Sequence, residues 1–186
     1  TFIFNSRDLC MIGHIPELIE AGIDSFKIEG RMKTALYVAT VARTYRKAID
    51  AAVSSLEDYE KILPWCREEI SKCTYRQFTT GFYFGKPDEN TQIYDNNTYI
   101  NEYIYLGTVG ETEGNTVRIE QRNKFSLGEI IEIMKPDGTN KETKVLAIIN
   151  EDGEEMESAP HPQQKLAVTL DAPASLYDIL RKKAPT

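Results

Sequence analysis

Glu29, Arg31 and Lys33 stand two residues apart in the segment Ser25-Phe26-Lys27-Ile28-Glu29-Gly30-Arg31-Met32-Lys33. A guanidinium there can grip a carboxylate or phosphate with two parallel hydrogen bonds. A neighbouring Glu can orient it or act as an acid or base. Side chains alternate along a strand, so Lys27, Glu29 and Arg31 are expected on one side, opposite Phe26 and Ile28. Inside a barrel such charges must be paired or must hold a charged ligand. The competing reading is a structural ion pair between a strand end and a helix start.

Cys10 is a second candidate. It follows Asn5-Ser6-Arg7-Asp8-Leu9 just past a first strand. It could ligate a metal or an iron–sulfur cluster, or fill space as a small buried hydrophobe. Cys66 and Cys73, seven apart, read as packing on one helical face. His14 and His161 make no metal-ligand spacing and read as structural or solvated. Arg118, Arg122 and Lys124 lie near Tyr103, Tyr105 and Phe125, a mixture that can bind single-stranded nucleic acid. With acidic residues throughout that half, a solvated barrel face is the preferred reading. The chain has neither a nucleophile elbow nor a phosphate-binding glycine loop.

The elements around these residues begin as α/β. Thr1–Phe4 and Ile23–Glu29 have strand character. Between them Ile15, Leu18 and Ile19 show helical spacing, with Pro16 suited to a first turn and Gly22 to the position past the end. Leu36, Ala39, Ala42, Tyr45, Ala48, Ile49 and Ala52 mark a helix of about five turns beginning at Thr34. Arg43, Arg46, Lys47 and Asp50 are expected on its other faces. Residues 54–73 read as a helical connector, with Ser54 and Glu57 as a capping box and Pro64 kinking or restarting it. Residues 74–100 are loop-like. Their aromatics (Tyr75, Phe78, Phe82, Tyr83, Phe84, Tyr94, Tyr99) predict a segment pinned to a surface.

From about Tyr103 short strands recur: Tyr103–Val109, Asn115–Gln121, Glu129–Met134, Thr143–Asn150, Glu154–Glu157 and Lys165–Leu170. Turn signals such as Pro136-Asp137-Gly138 and Asp152-Gly153 separate several of them. This predicts a small closed or nearly closed antiparallel barrel. Leu176 to Leu180 is expected to close it as a strand or short helix. The organisation is therefore 1–53 as α/β, 54–100 as connector and aromatic loop, and 101–186 as barrel.

A net charge of −7 argues against binding nucleic acid by charge alone. Residues 1–100 carry 12 Lys and Arg against 14 Asp and Glu, and residues 101–186 carry 10 against 15. Neither part is basic, so any RNA contact would be local. Three cysteines without a Cys-x-x-Cys argue against a secreted disulfide framework and for the cytoplasm. No apolar run has the roughly 20 residues of a membrane helix. The chain begins without Met, inside strand-like sequence, and reads as a piece of a longer protein.

Three blocks closely resemble the collagenase-like peptidase family, peptidases of unknown catalytic type that include prephenate-dependent tRNA uridine hydroxylases. They are Phe4 to Cys10, Ile15 to Ser25 and Phe26 to Lys33. Tyr37-Val38-Ala39-Thr40, Thr79-Thr80-Gly81-Phe82 and Phe125-Ser126-Leu127-Gly128-Glu129 continue the match. The resemblance implies an α+β fragment. Its first part would be the terminal βα elements of a TIM-barrel-like catalytic domain. A helical connector and an accessory β-barrel similar to those of translation factors would follow. It implies a parent that hydroxylates wobble uridine using an iron–sulfur cluster, with tRNA, prephenate and a related subunit as partners. Cys10 then maps to one cluster ligand, the others lying upstream, and Cys66 and Cys73 match none of them. Glu29 and Arg31 map to active-site roles, with Arg31 and Lys33 as substrate-binding groups for a carboxylate or phosphate. The piece alone is expected neither to assemble the cluster nor to catalyse. Alternative readings are a protease with collagenase-like activity and a non-enzymatic RNA- or protein-binding module.

Overall fold

The computed structural model of the chain describes residues 6–73, 75–94 and 102–185. The expected strand at Thr1–Phe4 lies outside them. The chain forms two compact units that divide between Glu102 and Tyr103.

The first unit is built on two long helices, α2 (Ala35–Ser54) and α3 (Leu56–Ser71), with a short α1 (Ile15–Glu20) packed against α2. The Thr34 hydroxyl caps α2 by accepting from the Tyr37 amide at 3.4 Å. Pro16 sits in the first turn of α1. Gly22 follows α1 with φ of 77°. Its N–H donates to Ile19 O and that of Ile23 to Leu18 O, a Schellman ending.

Several expectations are corrected in this unit. Residues 23–30 form no strand, because among the described residues no neighbour hydrogen-bonds to them as a ladder. Without a pleat the alternation fails: Ile28 is exposed, while Lys27, Ile28 and Glu29 all face one cavity. The inward face of α2 is rotated from the expected one. Thr40, Arg43 and Thr44 are buried and Ala42 is exposed. The cap of α3 is Ser55, accepting from the Asp58 amide, rather than Ser54. Pro64 lies inside an unbroken α3. Cys73 lies past the end of α3, so it does not share a helical face with Cys66, although both are buried. The 74–100 region contains β2 (Phe78–Thr79), paired in parallel with β1 (Asp8–Leu9).

The second unit is a closed six-stranded barrel in the order β10-β3-β4-β9-β7-β6, every pair antiparallel. Its strands are β3 (Tyr103–Glu113), β4 (Thr116–Glu120), β6 (Ile130–Met134), β7 (Asn140–Ile149), β9 (Lys165–Leu170) and β10 (Ile179–Lys183). Alternation points Val117, Ile119, Leu166, Val168 and Leu170 into one core. On β7 a register shift between Val145 and Ala147 lets Val145 and Ile148, three apart, both face inward. A side ladder of β5 (Phe125–Ser126) and β8 (Ser158–Ala159) adds Phe125 and Ala159 to that core.

Residues 154–157 do not form the expected strand. Asn150 Oδ1 accepts from the Asp152 and Glu154 amides, a local turn that competes with a ladder. Leu176 and Tyr177 are exposed, and the closing strand starts at Ile179. Among the described residues no helix is long and apolar enough to cross a membrane.

Candidate active-site cavity in the helical unit

The β1 strand puts Asp8 and Cys10 beside β2, where the Cys10 amide donates to Thr79 O at 2.9 Å. The Asp8 carboxylate accepts from the Arg76 amide at 3.0 Å, and Lys33 Nζ lies 3.8 Å from it. That ammonium also sits 5.1 Å from the Tyr37 ring centroid. Tyr37, Val41 and Tyr45 follow one another at helical spacing on α2 and present one face to the same space. The Tyr45 hydroxyl accepts from the Met11 amide at 2.8 Å and donates toward Cys10 Sγ at 3.7 Å.

These groups line a cavity of about 520 Å³ that also takes Glu29 and Cys73. Cys10, Glu29 and Lys33 therefore come together, while Arg31 is not part of its wall. The Arg31 side chain is 83% exposed; its amide donates to Glu29 Oε1 at 2.9 Å and its Nε lies 3.7 Å from the same oxygen. Sequence reading passed over Tyr37, Tyr45 and Asp8. The available signal was two phenols eight residues apart on an otherwise apolar helical stripe.

Burial sets the protonation of this cavity. It pushes the Tyr37 phenol up to about 12, with the negative charge of nearby thiolate and carboxylate groups adding to it. It raises Tyr45 as well. The Cys10 thiol is raised by burial, against the opposing hydrogen bonds from Ile12 and Tyr45 and the charge of Arg67. Burial takes Cys66 to about 11 and Cys73 to about 12. At neutral pH the cavity thus offers neutral phenol and thiol donors beside the side chains of Lys27, Lys33, Asp8 and Glu29.

An alkaline weakness follows, since an unfolded thiol ionises near about 8.5. Above that pH the unfolded chain releases thiol protons that the folded chain still holds, so stability falls as pH rises. The stabilising contribution is complete below about 8.5 and is lost through about 11 to 12. Urea midpoints from Trp65 fluorescence should decline across that range. A Cys66→Ala, Cys73→Ala double variant should flatten the decline; an unchanged slope would assign it to other groups.

The remaining sequence candidates are structural in placement. His14 Nδ1 lies 3.2 Å from Glu17 Oε1 and its ring packs against Phe84, while His161 is exposed. Arg118 pairs with Glu111 and Arg122 with Glu120. Phe125 is fully buried and Tyr103 is buried under Arg181, so neither is a surface stacking group.

A profile of Peptidase family U32 matches residues 1–93, and one of the Peptidase family U32 C-terminal domain matches residues 101–181. The chain belongs to peptidase family U32. It is 37% identical over 183 residues to the tRNA hydroxylation protein P1 of Bacillus subtilis, covering 97% of this chain and 43% of that protein. It is 34% identical to the tRNA hydroxylation protein P of Escherichia coli, over 86% of this chain and 35% of the relative. A Porphyromonas gingivalis collagenase is 38% identical over 46% of this U32 chain and 23% of its own length. The chain thus spans less than half the length of each of these relatives.

Proposed function

We propose that this U32 chain is the C-terminal part of an enzyme that hydroxylates uridine at the wobble position of tRNA, with prephenate as co-substrate and a related subunit as partner. The carrying observation is the 37% identity to a tRNA hydroxylation protein along 97% of the chain, spanning both units. In this reading residues 1–53 are the last part of a TIM-barrel-like catalytic domain and residues 54–100 are the connector and aromatic loop. The translation-factor-like barrel of residues 101–186 is an accessory domain that positions substrate or partner.

An iron–sulfur cluster bound to four cysteines is the implied cofactor. Among the described residues no group of three or more His, Cys, Asp or Glu could hold a metal ion. Cys10 fits as one thiolate of such a set: it is partly accessible, lines the cavity, and has a hydroxyl donor aimed at its sulfur. Cys73 is fully buried with its thiol on Ile70 O and fits less well. The cluster would supply redox chemistry. This chain's own residues would bind and orient: Lys33 and Arg31 a carboxylate or phosphate, and Glu29 a proton or the Arg31 guanidinium.

Mass spectrometry of tRNA from cells lacking the whole gene should show loss of wobble hydroxyuridine; an unchanged level would overturn the reading. The collagenase similarity favours a second reading, a protease. A cysteine protease needs a depressed thiol pKa, whereas burial raises that of Cys10. Collagen cleavage by anaerobically purified full-length protein would restore the protease reading.

A further inference from the structure

The aromatic turn after β2 carries a binding surface that adjoins the Cys10 cavity, since Tyr83 also lines that cavity and Cys10 lines one of the cavities beside the turn. Phe82, Tyr83 and Phe84 are 81%, 57% and 62% exposed. These three of the aromatics expected to pin residues 74–100 thus stand largely in solvent, whereas Phe78 packs against the core of the first unit and Tyr99 lies outside the described residues. Gly81 and Gly85 flank them at φ of 59° and 136°, backbone that side chains resist and that turns all three rings outward. Phe84 packs against His14 at 4.5 Å between centroids, which fixes one end of the turn. Three consecutive exposed rings form a patch of the kind that marks an interaction site.

Two cavities of about 580 and 450 Å³ open beside the turn and share Arg7 in their walls. Phe82 and Tyr83 line the first; Phe84 and Lys86 line the second. Among the described residues, neither the Arg7 guanidinium nor the Lys86 ammonium meets a carboxylate, and Arg7 Nε is shielded from solvent without a hydrogen-bond acceptor. Asp88 is the carboxylate on the second wall, so the two cations leave a net positive charge in a chain of net charge −7. Open aromatic faces beside uncommitted cations match the two halves of a nucleotide, a base to stack and a phosphate to neutralise.

We propose that the Gly81–Gly85 turn is a stacking platform for unpaired nucleotides of an RNA strand, with Phe82 and Tyr83 taking bases and Arg7 and Lys86 the flanking phosphates. The choice of RNA rests on the tRNA reading above. Anisotropy of a labelled single-stranded oligouridylate, titrated with the 186-residue chain at low salt, tests it. A Phe82→Ala, Tyr83→Ala double variant should weaken binding about tenfold or more, and Phe82→Trp, Tyr83→Trp should retain it. Lys86→Ala should lower the logarithmic salt slope by roughly 0.7. These side chains are exposed, so the variants should keep the melting curve of the parent.

Three outcomes would overturn the platform: no binding by the unaltered chain, unimpaired binding by the double alanine variant, or equal competition by polyphosphate, which has no bases. None of them bears on the wobble-uridine measurement in cells, so the platform can fail while the tRNA reading stands.

Discussion

Replacing Glu69 by Ala is expected to destabilise the helical unit by about 3–5 kcal/mol, because it leaves a buried guanidinium without its carboxylate. The Glu69 side chain is 0% exposed and that of Arg43 6%. One Glu69 oxygen accepts from Arg43, and the other lies 2.6 Å from Lys72 Nζ. The pair bridges α2 and α3, the two helices on which this unit is built. Arg43 also lies 5.8 Å from the ring of Trp65, the single tryptophan in the chain. Tryptophan fluorescence in a urea titration therefore reads this site directly. An Arg43→Met, Glu69→Leu double variant should recover most of the loss, since apolar side chains of similar volume remove the desolvation cost. A Glu69→Ala loss under about 1 kcal/mol would mean that water reaches the guanidinium and the pair behaves as a surface bridge.

Truncating Phe125 to Ala should cost the barrel about 3–5 kcal/mol through lost burial and the cavity left behind. Phe125 is fully buried among Leu106, Ile131, Val145 and other core residues. It comes from the short β5–β8 ladder, so the loss tests whether that side ladder is part of the barrel's stability. Hydrogen exchange of amides in β4, β7 and β9 should accelerate together. Acceleration confined to Phe125–Ser126 and Ser158–Ala159 would instead make the ladder a local appendage.

The barrel was largely legible from its sequence. Period-two patterns at 116–120 and 165–170 and the turn at 135–139 act through nearest neighbours, so local residues suffice to place them. The region around 154–157 failed because an Asn side chain captured two backbone amides, a choice that strand propensity does not register. In the helical unit, capping and helical period located α1 and α2. Which face of α2 turned inward was misjudged because a buried Arg43 looks like a surface residue until Glu69 is known to meet it.

The candidate site shows the same division. Residue types at 10, 29 and 33 marked what could do chemistry, and the structure gathers those three into one cavity. Arg31 was equally plausible by type, yet its side chain stands in solvent. Tyr45 was read as core, although its hydroxyl joins the Met11 amide to the Cys10 sulfur across more than thirty positions of chain.

Local order, composition and the family blocks were thus fixed along the chain, because propensity, period and turn chemistry act over a few residues. Burial of charge, the tuning of thiols and phenols, and the exposure of Phe82 to Phe84 were decided only by tertiary structure. Desolvation and pairing depend on which distant segments meet, and no spacing of residues along a sequence records that.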